Sequence, residues 1–332
     1  MGARDEGRAG AGSPVRGAGL RELWRRALGD ARGGKKGETW GWFFIAPAIA
    51  LFLVFQLWPL VRGLLMAFSD YRALDPSTHG ILNLNGLANY REIFADPAFF
   101  QAMGVTLRYT ALYTPLLILL ALATALLIAM VKTPLLSGFY RVVAYIPVVL
   151  PVSVSMMLWR QLYSHDYGYL NQLLRLLGVA DPPYWMALPE LAYWTVLLPD
   201  LWLGFGYYTF LFLIGLYNID PTLYEAADID GAGFWTQLRR ITLPLLKPVF
   251  LLILVSQAAL SGGTLPAMTL FPDGSPGGPG QSMMTVGLYG IHTAFGMGDL
   301  RMGYGASMGL VTALVSIAIS AAVFKALKME RD

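Results

Sequence analysis

The chain has 332 residues, 56% hydrophobic and 14% charged, with a formal net charge of +3; soluble domains average roughly 45–50% apolar and about 25% charged. Charge this sparse cannot cover a large globular surface, and this apolar content argues against disorder over most of the chain. The absence of cysteine removes disulfides, thiolate metal sites and cysteine nucleophiles, and three scattered histidines, His79, His165 and His292, argue against a His-based metal site. The composition is that of an integral membrane protein.

In chain order, residues 1–39 form a basic tail carrying nine lysines and arginines. Residues 1–18 are rich in Gly, Ala and Arg and are predicted to be disordered. Leu20, Leu23, Trp24, Ala27 and Leu28 then recur at helical spacing, with Arg21, Arg25, Arg26 and Arg32 on much of the other face. This pattern suits either a short amphipathic helix on the membrane surface or an unstructured basic segment. The apolar run that follows is longer than a signal-peptide core and has no A-x-A site after it, so it reads as a signal anchor.

A bilayer core of about 30 Å needs about 20 apolar helical residues. Six runs reach that length, at residues 39–61, 109–131, 142–159, 201–219, 249–272 and 302–324. The fourth is expected to start upstream, near Ala192, with Asp200 inside its outer end. The sequence therefore predicts an all-α membrane protein with six transmembrane helices. With the tail included, seventeen of the 24 lysines and arginines lie on the side of the termini, which places both termini in the cytoplasm.

The outer loops, near 69–101, 161–192 and 266–301, are long. The first is expected to carry a short helix at Arg91–Phe94 ending near Asp96-Pro97, and the second an interfacial helix over Tyr169–Leu177. The third, with Phe271-Pro272-Asp273-Gly274 and Gly277-Gly278-Pro279, is expected to lack regular structure. None is large enough for a separate domain, so residues 40–328 are taken as one membrane domain, followed by a short cytoplasmic end at 329–332.

The inner loop at 220–244 has helix signals where a turn would suffice. Asp220 can cap a helix with Pro221 in its first position, and Gly231 can supply a left-handed stop. A second helical piece, Phe234–Ile241, leads to Leu243-Pro244. Pattern alone leaves two readings, a projecting helix-turn-helix or an ordinary interfacial loop.

Glu225-Ala226-Ala227, three residues, Gly231, nine residues, Ile241, one residue, then Leu243-Pro244 resembles the EAA loop of ABC-importer permease subunits. The stretches Phe44-Ile45-Ala46-Pro47, Gly86-Leu87-Ala88-Asn89-Tyr90 and Tyr145-Ile146-Pro147 through Pro151 are similar to the sugar-importer, maltose-type branch. The resemblance implies a type I ABC-importer permease fold in a bacterial or archaeal plasma membrane. It also implies partners: a cytosolic ABC ATPase dimer, a second permease subunit and an extracytoplasmic solute-binding protein. By the same resemblance the 220–244 loop is a coupling helix, with Glu225 as charge contact, Ala226 and Ala227 as close-approach surface and Gly231 as turn. No nucleic-acid partner, metal or catalytic residue is implied.

The chain has no phosphate loop of its own, since Lys36 replaces the Ser/Thr in the near-match Gly29–Lys36. ATP and Mg²⁺ are therefore expected on the partner, and this chain is expected to be non-catalytic and to hold no cofactor. Gly204, Tyr207 and Ser256 match sugar-lining positions of the maltose-type permeases, although ordinary helix packing also accounts for such residues. Past that serine the sequence departs from the family: Gly262-Gly263 and Pro266 are expected to break the fifth run. A stand-alone ion-coupled carrier is the alternative, which the single membrane-edge acid, Asp200, and the absence of a visible repeat disfavour.

Overall fold

The computed structural model describes residues 35–79, 83–259, 263–271, 277–296, 298 and 300–329, with side chains outside 35–40 and 327–329. The amphipathic reading of Leu20–Leu28 and the disorder expected for residues 1–18 lie outside the described residues. Those residues are helical apart from their connections, and an isolated antiparallel bridge pairs Ser69 with Leu84. They divide into two compact units at Arg62 and Gly63.

The first unit holds an apolar helix, α1 (Lys35–Phe52), running through a π-turn at Leu53–Leu57 into α2 (Trp58–Met66), whose last residues from Gly63 fall in the second unit. The π-turn precedes Pro59, which has no N–H to donate, and the Trp58 N–H bonds instead to the Leu53 carbonyl. The window of this helix most suited to a bilayer has no buried residue.

Past Met66, the next long elements of the second unit are α3 (Ala88–Ala95) and α4 (Pro97–Met130). α4 is 34 residues long, about 51 Å at 1.5 Å per residue, so it outruns the hydrocarbon core. The apolar run at 109–131 covers its later part, and its first turns fall where the sequence predicts the first outer loop. Asp96 caps it by accepting the Ala98 N–H at 2.9 Å, with Pro97 in the first position.

The third run is not one helix. α5 (Pro134–Val149) and α6 (Val152–Leu162) meet at an angle of 97°. The break falls at Leu150-Pro151, where the residue before proline is forced out of the helical region, here to φ −76° and ψ 135°. After α7 (Tyr169–Leu176), the chain enters α8 (Pro189–Tyr217), three residues upstream of Ala192.

α4 and α8 run side by side in the same direction. Tyr109 meets Asp200, Leu117 meets Gly204, and Ala121 and Ala125 share a buried cluster with Phe212 and Leu213. Two parallel neighbours need a return path, which α5 and α6 supply: Arg141 bonds Tyr217, Tyr145 packs on Phe210, and Trp159 packs on Trp202. Gly206 allows the closest approach. A Cβ there would collide with the Ala144 carbonyl oxygen, so only glycine lets these backbones touch.

Past α9 (Pro221–Ile229), α10 (Phe234–Gln237), a π-turn at Leu238–Thr242 and α11 (Leu243–Leu245), the chain climbs back along α8. α12 (Lys247–Gln257) is an 11-residue helix, too short to span alone. Phe250 reaches Phe212, Gln257 reaches Tyr208, and Gly263 reaches Asp200. Gly263 sits at φ +73° and starts α13 (Thr264–Leu270), so the fifth run is broken at one of the glycines expected to break it.

The segment expected to lack regular structure corrects that reading. Besides most of α13, it holds α14 (Val286–Phe295), which packs as an antiparallel hairpin against α15 (Met302–Met329), with Ala294 and Gly290 facing Gly305. The Thr285 hydroxyl accepts the Leu288 N–H at 3.3 Å, and the Thr106 hydroxyl on α4 accepts the Val286 N–H at 2.9 Å. The open donors of the first turn of α14 are thus satisfied partly from 180 positions away.

Four helices are long and apolar enough to cross a membrane alone, at Gly41–Met66, Pro97–Met130, Pro189–Tyr217 and Met302–Ala326. The α5–α6 pair, taken as one span, makes five.

Candidate functional site

Two features stand out, a cavity beside α8 and a helix projecting from the far end of it. The cavity has a volume of about 990 Å³, at the upper end of the usual range for small-molecule sites. One wall is polar and aromatic, with Asp200, Gly204, Tyr207 and Tyr208 from α8 and Gln257 from α12; the opposite wall is small, with Gly287 and Gly290 from α14 and Gly305 and Gly309 from α15.

Gly204 and Tyr207 both line the cavity. A Cβ on Gly204 would stand 2.6 Å from the Tyr113 hydroxyl, so this glycine serves packing as well as the cavity wall. Tyr207 is 48% exposed and presents its ring to the space. Ser256 is not in the lining; its hydroxyl donates to the Ile253 carbonyl at 2.7 Å within its own helix. Its neighbour Gln257 takes the place, donating an amide N–H to the Tyr208 hydroxyl at 2.7 Å.

The residue that sequence reasoning underweighted is Asp200. Its Oδ2 accepts the Tyr109 hydroxyl at 2.7 Å and the Gly263 N–H at 3.1 Å. The carboxylate thus ties α4, α8 and the break before α13 at one atom. The signal was present, an acid inside an otherwise apolar helix, but the donors come from positions 63 and 91 residues away.

At the other end of α8, Asp220 accepts the Thr222 N–H at 3.0 Å, Pro221 opens α9, and Gly231 closes it at φ +74°. The Thr222 N–H holds the Asp220 carboxyl below its ordinary value. The Tyr224 hydroxyl bonds that of Thr242 at 2.8 Å, and the Gln237 side chain donates to Asp228 Oδ1 at 2.6 Å and to the Ala232 carbonyl at 3.0 Å. These bonds close the two helical pieces into one unit.

Glu225 and Ala226 are exposed, Ala227 is half-buried, and Glu225 has no hydrogen bond or ion pair among the described residues. Around it Leu223, Ile229 and Trp235 stand exposed, Ile229 at 87%. Ile241 and Leu243 are half-buried at the root of the loop, Pro244 is exposed, and Leu246 beyond it packs fully buried against Gly215.

Residues 100–327 match the family described as binding-protein-dependent transport system inner membrane component. The chain belongs to that family. This permease is 32% identical over 258 residues to the lactose transport system permease protein LacF of Rhizobium radiobacter, covering 77% of this chain and 83% of the relative. It is 28% identical over 296 residues to the trehalose/maltose transport system permease protein MalF of Thermococcus litoralis, covering 88% and 95%. A crystal structure of a bacterial ABC transporter importing the acidic polysaccharide alginate shares the fold, with a TM-score of 0.75 at 22% identity, covering 93% of this chain and 99% of that one.

The permease is a multi-pass membrane subunit of an ABC importer, and ATP hydrolysis belongs to a partner ATPase. The end of the molecule away from α9 is held by acids. Asp96 Oδ2 accepts the hydroxyls of Tyr289 at 2.8 Å and Tyr304 at 3.0 Å, while both Glu92 oxygens accept from Arg301 at 2.6 Å.

Proposed function

We propose that this permease conducts a sugar or related carbohydrate across a bacterial or archaeal plasma membrane as half of a translocation pathway, the other half being a second permease subunit. Six crossings with cytoplasmic termini suit the helix directions. α4, α8 and α15 run one way, α5–α6 and α12–α13 return, and α1–α2 is the remaining span. Lys132, Arg141, Arg239, Arg240 and Lys247 lie toward the α9 end, which supports that end as cytoplasmic.

The observation that carries the reading is the capped helix α9, whose Glu225 has no partner among the described residues and stands amid exposed apolar side chains. A soluble loop would have no reason to expose Ile229 and Trp235, whereas a docking helix needs an apolar surface around a charge. The 220–244 loop, with Glu225, Ala226, Ala227, Gly231, Ile241, Leu243 and Pro244, is then the lever on which a dimeric ATPase acts. ATP-driven closure would rock the spans to face outward, where a solute-binding protein delivers the sugar. Gly204, Tyr207 and, through Gln257 beside it, the Ser256 turn would meet it in the cavity, since an aromatic face and hydroxyl or amide groups suit a pyranose ring. ATP and Mg²⁺ stay on the partner, and this chain needs no cofactor. Residues 1–39 would remain a basic cytoplasmic tail outside the 40–328 membrane domain, with 329–332 as the cytoplasmic end.

The test is purification from native membrane in mild detergent, with mass spectrometry of the partners and an uptake assay. Wild type should bring down an ATPase and a second permease; Glu225→Ala with Gly231→Asp should lose the ATPase and the uptake. Unchanged uptake in that double variant would sink the coupling role. Recovery of neither partner from a well-folded sample would overturn the proposed assembly.

A further inference from the structure

The 220–244 loop contains a joint and two bonds that span it. Between α9 and α10 the connection reads Asp230-Gly231-Ala232-Gly233. A Cβ on either glycine would meet nothing within 4 Å, so backbone freedom and open packing coincide there. Such a connection bends easily. The Gln237 amide donates to Asp228 Oδ1 at 2.6 Å across nine positions, and the Tyr224 hydroxyl meets the buried hydroxyl of Thr242 at 2.8 Å across eighteen. Neither bond is needed to form α9, which already has its cap at Asp220 and its stop at Gly231. Behind Thr242 the packing is continuous. α11 leads to the fully buried Leu246, whose Cδ2 would stand 2.7 Å from a Cβ on Gly215 of α8. Leu246 also opens α12, which ends at Gln257, the donor to Tyr208 in the cavity wall.

Resting on the reading of α9 as the ATPase contact, we infer that Tyr224 and Gln237 are positioning residues of the transport cycle. Their bonds to Thr242 and Asp228 clamp the Gly231–Gly233 joint. A displacement of α9 is then passed to α12 and the cavity wall instead of being absorbed as bending of the loop. Rigid elements joined by hydrogen bonds and close contacts are the physical means by which distant sites are coupled. Glu225 and the apolar side chains around it dock, and the two bonds transmit. Docking and transmission are therefore separable by mutation: severing the bonds leaves the docking surface in place and lets ATP be hydrolysed without moving the spans.

The chain has no cysteine, so Ala259→Cys, at an exposed position of the cavity lining just past α12, gives this subunit a unique probe. The complex is purified from native membrane with its partners, and maleimide labelling of that cysteine is timed without nucleotide and with ATP, Mg²⁺ and vanadate. With the loop intact, nucleotide should change the labelling rate about tenfold. Tyr224→Phe with Gln237→Ala should keep ATPase recovery and ATP hydrolysis and shrink that change about fivefold. Asp228→Asn, which keeps the accepting oxygen, should respond as the intact loop does, and Asp228→Ala should not. A full nucleotide response in the Tyr224→Phe, Gln237→Ala variant overturns the inference and leaves the docking reading standing. Loss of the ATPase from that variant, still folded, does the same, because the bonds would then serve docking. No response in an intact complex that hydrolyses ATP overturns both. If the double variant does not fold, Tyr224→Phe alone, which removes one hydroxyl, decides by the same readings.

Discussion

Tyr109 donates its hydroxyl to Asp200 Oδ2 at 2.7 Å across 91 positions of chain, and this bond sets the register in which α4 and α8 lie parallel. It is the polar contact at the level of the cavity that two otherwise apolar helices share, and the Tyr113 hydroxyl, one turn on, reaches the Asp200 carbonyl at 3.4 Å.

Removing the Tyr109 hydroxyl tests that register. Tyr109→Phe should destabilise the permease by about 1–2 kcal/mol, since it removes a buried hydrogen bond between the two helices. Asp200→Asn should cost a similar amount, and the double variant less than the sum of the two. Thermal unfolding of the detergent-solubilised complex, read as a double-mutant cycle, measures the coupling; strict additivity would show that the bond carries no energy.

Gly206 offers a steric test. Gly206→Ala places a Cβ against the Ala144 backbone carbonyl, which cannot swing aside as a side chain does. Overpacking of this kind costs about 1–3 kcal/mol, so a fall in melting temperature is expected. Gly138→Ala, where a Cβ meets nothing within 4 Å, should leave it unchanged.

At the 220–244 loop the backbone alone is at issue. A Cβ on Gly231 or Gly233 has open space around it, but Gly231 sits at φ +74° and Gly233 at φ −71°. Gly231→Val should therefore strain the end of α9, and co-purification of the ATPase should fall, while Gly233→Ala should be tolerated. Equal behaviour of the two variants in a pull-down would remove the conformational argument.

The Glu92–Arg301 pair predicts a pH dependence. Donation from Arg301 holds the Glu92 carboxyl below its ordinary value of 4.5. A depressed folded value means that the contribution is full above about pH 4.5 and is lost as pH falls through the lowered value. Glu92→Gln should lower the melting temperature by about 1–3 °C at pH 7, and the difference from wild type should shrink below pH 4. A constant difference from pH 7 to pH 3 would contradict the assignment.

The sequence by itself determined what depends on near neighbours. Apolar runs marked membrane helices because length and composition are local quantities, and Asp220, Pro221 and Gly231 bounded α9 because caps and stops act within a few residues. Gly263 marked the break in the fifth run for the same reason. Tertiary structure decided the rest. No local rule pairs Asp200 with Tyr109 and Gly263, puts Gln257 rather than Ser256 in the cavity lining, or starts α14 where Thr106 accepts a distant N–H. The start of α4 was hidden because its first turns carry too little apolar character to read as a span. In a chain this apolar, hydrophobicity says which segments enter lipid; which ones touch is settled by a few buried polar atoms and glycines, whose partners lie far off in sequence.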